Sequence, residues 1–263
     1  MTMTMRSRFA TPLVIALVTL TAVSARAQNA RENAADKDWL VKTLEIRAGS
    51  VVGEIGAGGG ELTYMLAAEV GETGRVFSNE LNKERVEALR REVGNRNLAN
   101  VTVVDGRELE TNLPDQCCDA IFMRSVYHHF GDPPAMNASL LKSLKPGGRL
   151  AVIDFTPPPG GELGPGHRGE DNHHGITAPT LERELKAAGF EIVSAETISR
   201  GIRVVARRPV TPNSGPSSAR CEGPGAPAGS SPVPRRDQGR RRRMRWSAGR
   251  AAAPRTAASA SIG

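Results

Sequence analysis

The chain has 263 residues and a formal net charge of +7, which taken alone would indicate a basic protein with an anionic partner. The charge is distributed unevenly. Residues 1–27 contain three arginines and no acid, and residues 209–263 contain ten arginines and two acids. The middle part, residues 28–208, therefore has 22 bases and 26 acids. The folded domain is therefore acidic, and the net positive charge of the chain comes from its two ends.

The first 27 residues resemble an export signal. Two arginines near the start precede an apolar run, Phe9–Val23, and small residues follow, ending in Ala25-Arg26-Ala27. This pattern predicts a cleaved secretory signal, a mature N-terminus at Gln28, and a periplasmic or secreted protein. After cleavage no stable membrane insertion is expected. The alternatives are an uncleaved anchor, or a start assigned upstream of a cytoplasmic enzyme.

Residues 209–263 differ in composition from the rest of the chain. They contain eight prolines and seven glycines and show no apolar periodicity, so we predict a disordered tail. Its arginine clusters, Arg235-Arg236 and residues 240–245, could bind nucleic acid or an acidic membrane surface without sequence specificity. Read-through or out-of-frame sequence and a passive linker are the alternatives. Nucleic acid is a partner only through this tail.

The middle part, about 180 residues, is long enough for one domain with a sizeable core. Apolar runs alternate with helical patterns, which predicts a mostly parallel α/β sheet with crossover helices. Too few residues join the last two strands for a parallel crossover, so one strand of seven should be reversed. The predicted strands are Val51–Ile55, Arg75–Glu80, Val101–Gly106, Cys118–Ser125, Arg149–Phe155, Phe190–Ala195 and Ile202–Arg207.

A glycine-rich loop connects the first strand to a helix. Glycines at 56, 58 and 60 allow a ligand to approach the backbone, and the helix N-terminus favours an anionic group. The dinucleotide-binding pattern G-x-G-x-x-G would need a glycine where this chain has Glu61. The second strand ends in Glu80, whose carboxylate could accept hydrogen bonds from ribose hydroxyls. The loop and Glu80 therefore indicate a ligand that contains a nucleoside but is not a dinucleotide.

With these features in order, residues 38–208 resemble the class I S-adenosylmethionine-dependent methyltransferases. The matching segments are GEIGAGGGELT, VFSNEL, VTVVDGR, CDAIFMRSVYHHF and LKPGGRLAVIDF. The resemblance implies a Rossmann-like fold with helices on both faces of the sheet, and methyl transfer from S-adenosylmethionine to an unidentified, small-molecule acceptor. The alternative is a non-catalytic cofactor-binding module whose basic tail recruits nucleic acid.

The resemblance also implies roles for individual residues. Gly56, Gly58 and Gly60 would approach the methionine portion of the cofactor and Glu54 its ammonium group. Glu80 would hold the ribose. Asp105 with Gly106 would face the adenine, and the cofactor-binding set also includes Ala57, Leu81 and Arg124.

All five histidines fall in two loops at the predicted carboxyl edge of the sheet, where ligands bind in such folds. Methyl transfer needs a base when the acceptor atom carries a proton, and histidine titrates in the useful range. His129 and His174 are the candidate catalytic residues. A metal site built from the histidines with Glu170 and Asp171 is the competing hypothesis, but no metal-ligand spacing supports it, and no metal is predicted.

Two further features complete the sequence-based predictions. Cys117 and Cys118 are adjacent, so a bridge between them would be strained, and two partly buried thiols are expected. The segment from Pro157 to Ile176 begins with a proline-glycine run, and loops of this length often cover a substrate.

Overall fold

The computed structural model describes residues 28–170, 173–210 and 221. The predicted signal, residues 1–27, and nearly all of the predicted disordered tail lie outside these residues. Within the described part of the chain, no helix is both long enough and apolar enough to cross a membrane.

Five helices and seven strands make up the described domain. Side chains cap several of the helices: Asn82, Asp132 and Thr177 each accept a hydrogen bond from a backbone N–H three residues later. In chain order the elements are α1 (28–43), β1 (Val51–Ile55), α2 (Glu61–Val70), β2 (Arg75–Glu80), α3 (Lys83–Asn95), β3 (Val101–Asp105), β4 (Cys118–Arg124), a 3₁₀ turn (Tyr127–His129), α4 (Pro133–Ser143), β5 (Leu144–Asp154), α5 (Ala178–Ala187), β6 (Glu191–Ile198) and β7 (Gly201–Arg207).

The seven strands form one sheet in the order β3-β2-β1-β4-β5-β7-β6. Only β7 is reversed: it pairs antiparallel with β5 on one side and with β6 on the other. The prediction of a seven-stranded, mostly parallel sheet with one antiparallel strand is confirmed. The strands after β1 are added on one side of it as far as β3, and β4 is then added on its other side. At such a point the carboxyl ends of the two parallel strands β1 and β4 leave an opening in which a ligand can bind.

Helices cover both faces of the sheet, as predicted. On one face, Leu40 of α1 and Leu66 of α2 belong to an apolar cluster with Val52 and Phe122 of the sheet. On the other face, Leu140 of α4 and Leu185 of α5 pack in a second cluster with further sheet residues. The amphipathic spacing of these helices is thus satisfied by burial against the sheet.

Some strand boundaries differ from the predictions. β5 begins at Leu144 rather than Arg149, because Leu144 pairs with Cys118 before an irregularity in the register near the proline-glycine turn. β4 ends at Arg124, since Ser125 has a positive φ of 57° that an extended strand cannot accommodate. β3 ends one residue early, at Asp105, and β6 continues to Ile198, three residues beyond its predicted end.

The prediction of two neighbouring thiols is wrong for Cys117, which forms a disulfide with Cys221. The two Cα atoms are 5.3 Å apart, within the usual range for a disulfide, whereas neighbouring residues are closer together than that range allows. Cys118 is a buried free cysteine, and burial raises the pKa of its thiol to about 12. Cys221 was assigned to the predicted disordered tail, and the sequence offered no reason to pair it with the domain.

Candidate functional site

A cleft of about 730 Å³ lies at the carboxyl edge of the sheet. Its lining comes from the glycine loop after β1, the end of β2 with the start of α3, the segment after β3, and the chain from the end of β4 into α4. Gly166, from the long segment between β5 and α5, also contacts it. Most of the predicted cofactor residues therefore meet in one cavity.

The glycine loop runs along one wall of this cleft with positive φ at Gly56, Gly58 and Gly60. A Cβ added to Gly56 would overlap the side chain of Val126, so no other residue fits without a shift of the neighbouring loop. A Cβ added to Gly58 would meet nothing within 4 Å. The space beside Gly58 is therefore open to a ligand, while Gly60 serves as the N-cap of α2 and does not line the cleft.

Glu80 lines the cleft from the end of β2. Its Oε2 accepts a hydrogen bond from the Gly58 N–H at 2.8 Å, and its Oε1 accepts one from the Asn82 N–H at 2.9 Å. A carboxylate oxygen can accept more than one hydrogen bond, so both oxygens can still serve a ligand hydroxyl. Leu81 and Leu109 flank this part of the cleft and are more than half exposed, which suits a flat apolar ring between them.

Glu54 is buried at the end of β1 and accepts a hydrogen bond from Thr63 Oγ1, which also contacts Ser78 Oγ at 2.8 Å. Burial raises the pKa of the Glu54 carboxyl to about 7, while the Thr63 hydrogen bond and the charge of Arg124 act in the opposite direction. Arg124, at the end of β4, lines the same cleft. This end of the cleft therefore combines an acid and a base.

Asp105 and Gly106, the residues predicted to face adenine, do not line the cleft. Asp105 is exposed and forms an ion pair with Arg90 of α3, with 2.6 Å between Oδ2 and Nη2. The Gly106 N–H donates to the Glu80 carbonyl instead. Arg107 and the two residues after it contact the cleft in their place, which the motif in the sequence did not indicate because the loop turns only after position 106.

The two candidate catalytic histidines lie near each other but differ in their access to the cleft. His129 lines it, whereas His174 does not, and their ring centroids are 6.2 Å apart. Partial burial lowers the pKa of the His129 imidazole, and the neighbouring His128 adds to this effect. A lowered pKa favours the unprotonated imidazole, the form that can accept a proton.

A buried pair beside these histidines was not foreseen. His128 Nδ1 lies 2.6 Å from Asp154 Oδ1, and the His128 backbone N–H donates to Asp154 Oδ2 at 3.0 Å. The His128 and His129 rings are in contact, with centroids 3.9 Å apart and planes inclined by 43°. In the sequence, Asp154 ends one strand and His128 closely follows another. Because these strands, β5 and β4, are neighbours in the sheet, this spacing is the signal that indicates the pair.

The competing hypothesis of a metal site involves the same region. Among residues 28–170, 173–210 and 221, no group of three or more histidine, cysteine, aspartate or glutamate side chains is placed to hold a metal ion. Asp171, a member of the hypothetical ligand set, lies outside these residues. His167 instead contacts Glu170, and His173 contacts the Gly161 carbonyl.

The segment between β5 and α5 is attached to the domain by a buried ion pair. Arg168 donates two hydrogen bonds to the Glu184 carboxylate of α5, the shorter of them 2.6 Å long. Tyr127 donates its hydroxyl proton to the same carboxylate at 3.0 Å. Arg168 is nearly fully buried. Gly166, two residues before Arg168, lines the cleft, and the covering of a substrate by this segment stays a prediction.

Comparison with known proteins finds methyltransferases, in sequence and in structure. Residues 53–152 match the family described as "Methyltransferase domain". The chain is 32% identical over 124 residues to the ubiquinone/menaquinone biosynthesis C-methyltransferase UbiE of Marinomonas sp. (strain MWYL1), an alignment covering 46% of this chain and 49% of the relative. The chain thus spans about half the length of the curated relatives it matches.

Solved structures extend this similarity over the domain. A SAM-dependent methyltransferase from Aquifex aeolicus superposes with a TM-score of 0.58 at 25% identity, covering 66% of this chain and 89% of that one. A possible exported protein from Bordetella parapertussis superposes with a TM-score of 0.53 at 17% identity, covering 68% of each chain, and so shows the fold alone. Over this domain, the chain is thus similar in sequence and in fold to S-adenosylmethionine-dependent methyltransferases.

Proposed function

We propose that the protein is an enzyme that transfers a methyl group from S-adenosylmethionine to a small-molecule acceptor. The observation that carries this proposal is the hydrogen bond between the Gly58 N–H and Glu80. It brings the open side of a glycine loop next to a carboxylate held at the end of the adjacent strand. A methionine portion and a ribose joined in one molecule would fit this juxtaposition.

The residues of the cleft fit the parts of this cofactor. Glu80 has acceptor capacity for ribose hydroxyls, and Leu81 with Leu109 offers apolar surface to a purine. Glu54 and Arg124 offer a carboxylate and a guanidinium for an ammonium and a carboxylate group, respectively. When bound, the cofactor supplies an electrophilic methyl carbon attached to a positively charged sulfur.

The chain contributes alignment and proton transfer to the reaction. An acceptor atom forms its bond to the methyl carbon while the carbon–sulfur bond breaks and leaves its electron pair on sulfur. Where the acceptor atom carries a proton, His129 is the histidine of the cleft that can take it. His174 is placed to influence His129 rather than to contact the cleft.

The acceptor end of the cleft is apolar and uncharged. Val126, Phe130 and Met136 line it beside His129 and Ser125, all five from the chain that runs from the end of β4 into α4. Such a surface favours a neutral organic molecule over a polyanion such as nucleic acid. The relatives named for ubiquinone and menaquinone biosynthesis also act on small molecules, which supports the same class of acceptor.

Calorimetry with S-adenosylhomocysteine, the product of the reaction, tests the proposal. We expect the full chain to bind it and Glu80→Ala to weaken that binding by more than about tenfold, since each lost charge-assisted hydrogen bond costs roughly 1.5–3 kcal/mol. Glu87→Ala, which removes an exposed acid on the nearby helix α3, serves as the matched control and should leave the affinity unchanged. An unchanged affinity in Glu80→Ala would contradict the ribose assignment.

We also propose that the protein is exported. The signal-like pattern before Gln28 favours this, and so does the Cys117–Cys221 disulfide, because disulfides persist mainly in oxidising compartments. Mass spectrometry of protein from fractionated cells should find Gln28 at the N-terminus in the periplasmic or secreted fraction. An intact Met1 in the cytoplasmic fraction would reject export. Nucleic-acid binding through residues 235–245 stays a prediction.

A further inference from the structure

Helix α1 contains one fully buried acid, Asp36, surrounded by three arginines. Its Oδ1 accepts hydrogen bonds from Arg200 Nη2 at 2.8 Å and from Arg203 Nη2 at 2.9 Å. Its Oδ2 accepts one from Arg124 Nη1 at 3.3 Å. Asp36 therefore joins three separate parts of the chain: the turn between β6 and β7, strand β7 itself, and the end of β4. A charge this deeply buried is stable only with such partners.

Arg124 is the member of this group that reaches the cleft. Its Nη1 also donates to Asn33 Oδ1 at 2.6 Å, one helical turn before Asp36. Both contacts are made by Nη1, so the other N–H donors of the guanidinium can serve a ligand. An unsupported arginine side chain has many rotamers, and ordering it costs conformational entropy. The hydrogen bonds to Asn33 and Asp36 of α1 order the Arg124 side chain before any ligand binds.

The position of Arg124 suits one particular part of the cofactor. Its strand, β4, pairs with β1 so that Ile55 lies opposite Met123, and Arg124 therefore reaches the level of Gly56, where the glycine loop begins. Glu54 of β1 lies opposite Phe122, two residues before Arg124 on β4, and both Glu54 and Arg124 line the cleft. An α-amino acid group carries an ammonium and a carboxylate on one carbon, and a neighbouring acid and guanidinium are the complementary pair.

The other cations of the cleft are placed for a different part of the ligand. Arg85 belongs to α3, and Arg107 follows β3 and is paired with Glu110. Both lie on the side of the sheet where Glu80 ends β2, away from β4. Within the described lining, Arg124 is therefore the cation beside the glycine loop and Glu54.

From this arrangement we infer that helix α1 is a working part of the cofactor site, and that Asp36 and Asn33 are positioning residues. They hold Arg124 toward the carboxylate of the cofactor's amino-acid portion. The inference rests on the proposed function, and it extends the site to a helix upstream of the segment that matches the methyltransferase family. Docking of α1 and cofactor binding are then coupled through one guanidinium.

The test compares two ligands, S-adenosylhomocysteine and its analogue in which a carboxamide replaces the carboxylate. Calorimetry on the full chain should show the acid binding at least about tenfold more tightly than the amide, the worth of one charge-assisted hydrogen bond. In Arg124→Gln this ratio should fall to within about twofold of unity. In Asn33→Ala and Asp36→Asn it should fall at least about threefold, because the guanidinium is less ordered.

Arg200→Gln is the matched control. It removes another partner of Asp36 that does not line the cleft, so it should lower thermal stability and leave the acid-to-amide ratio unchanged. If α1 had only a structural role, every variant would lose thermal stability, and none would change the ratio of acid to amide affinity. Wild-type ratios in folded Asn33→Ala and Asp36→Asn would overturn the inference, and if Asp36→Asn does not fold, Asn33→Ala decides alone. Failure of the wild-type chain to bind S-adenosylhomocysteine would instead reject the proposed function.

Discussion

The two halves of the cleft are built in different ways. In the half formed by β1 and β2, the binding groups lie on strand ends or tight turns and are fixed by short hydrogen bonds, such as those from the Gly58 and Asn82 N–H groups to Glu80. In the half that follows β4 and β5, they lie on a 3₁₀ turn and on the long segment between β5 and α5, whose described residues belong to no strand or α-helix. That segment is attached mainly through side chains such as Arg168.

This difference indicates a division of labour. A ligand that is the same in every reaction can be held by backbone geometry, which tolerates little change in sequence. A ligand that differs between enzymes needs a surface that can change without disturbing the sheet, and a long loop supplies one. We therefore expect the β1–β2 half to bind cofactor independently of the acceptor half, and each prediction below tests that independence.

Gly56→Ala should have the largest effect, because Gly56 lies where the two halves meet. The new methyl group would overlap Val126, and alanine is disfavoured at a φ of +71°, so we expect a loss of about 3 kcal/mol in the free energy of unfolding, measured with urea. Gly58→Ala has the same backbone requirement but open space, and should lose only about 1 kcal/mol. If Val126→Ala does not recover part of the Gly56→Ala loss, steric contact is not the cause.

Arg168→Gln should have the next largest effect on the free energy of unfolding, and it should change only the half of the cleft that follows β4 and β5. Removing this arginine leaves the Glu184 carboxylate without its main partner, which should lower the free energy of unfolding by about 2 kcal/mol. The affinity for S-adenosylhomocysteine should stay within about twofold, because Arg168 does not line the cleft. Lys186→Gln, which breaks an exposed pair on the same helix, should cost less than about 0.5 kcal/mol. A parallel loss of affinity in Arg168→Gln would show that the halves are not independent.

The smallest effect should be a pH dependence that belongs to the cofactor half. The pKa of Glu54 is raised to about 7 in the folded protein, whereas an ammonium ligand favours the ionised carboxylate. Affinity for S-adenosylhomocysteine should therefore rise as pH increases toward 7 and level off above it, with release of about one proton per ligand at pH 6. Without ligand the sign is opposite: the folded state retains a proton that the unfolded state loses, so stability falls as pH rises from about 4.5 to about 7.

Calorimetry in buffers with different ionisation enthalpies measures that proton release directly. Glu54→Gln has no titrating group at this position and should bind with an affinity that is flat between pH 6 and 8. Equal proton release in the wild type and in Glu54→Gln would assign the titration to another group.

The same difference between the halves explains how far the sequence could be interpreted. The spacing of Gly56, Gly58 and Gly60, and the position of Glu80 at the end of a strand, follow from backbone rules that hold whatever the rest of the chain does. The presence of one reversed strand also follows, because too few residues join the last two strands for a parallel crossover. These features are local, and a local pattern predicts them.

The features that were missed depend on distant contacts. Asp36 gains its role only when α1 lies against residues some ninety and more positions later in the chain, and Cys221 pairs with a cysteine 104 residues before it. Asp105 lies in the expected position along the chain, but its side chain forms an ion pair with a neighbouring helix. Neither hydrophobic periodicity nor motif spacing records which helix a carboxylate will face.

The position of β7 has a consequence for how the chain acquires this structure. The last of the described strands, β7, is an inner strand of the sheet, and among these strands β6 has no other neighbour. During synthesis, which adds about 5–20 residues per second from the N-terminus, β6 emerges before the strand it must pair with. Until Gly201–Arg207 has been synthesised, the backbone groups at one edge of β5 have no strand to pair with, and β6 has none either. The sheet can close only when nearly all of the domain has been made, so a chain released before residue 201 would present two unpaired strand edges to the quality-control machinery of the cell.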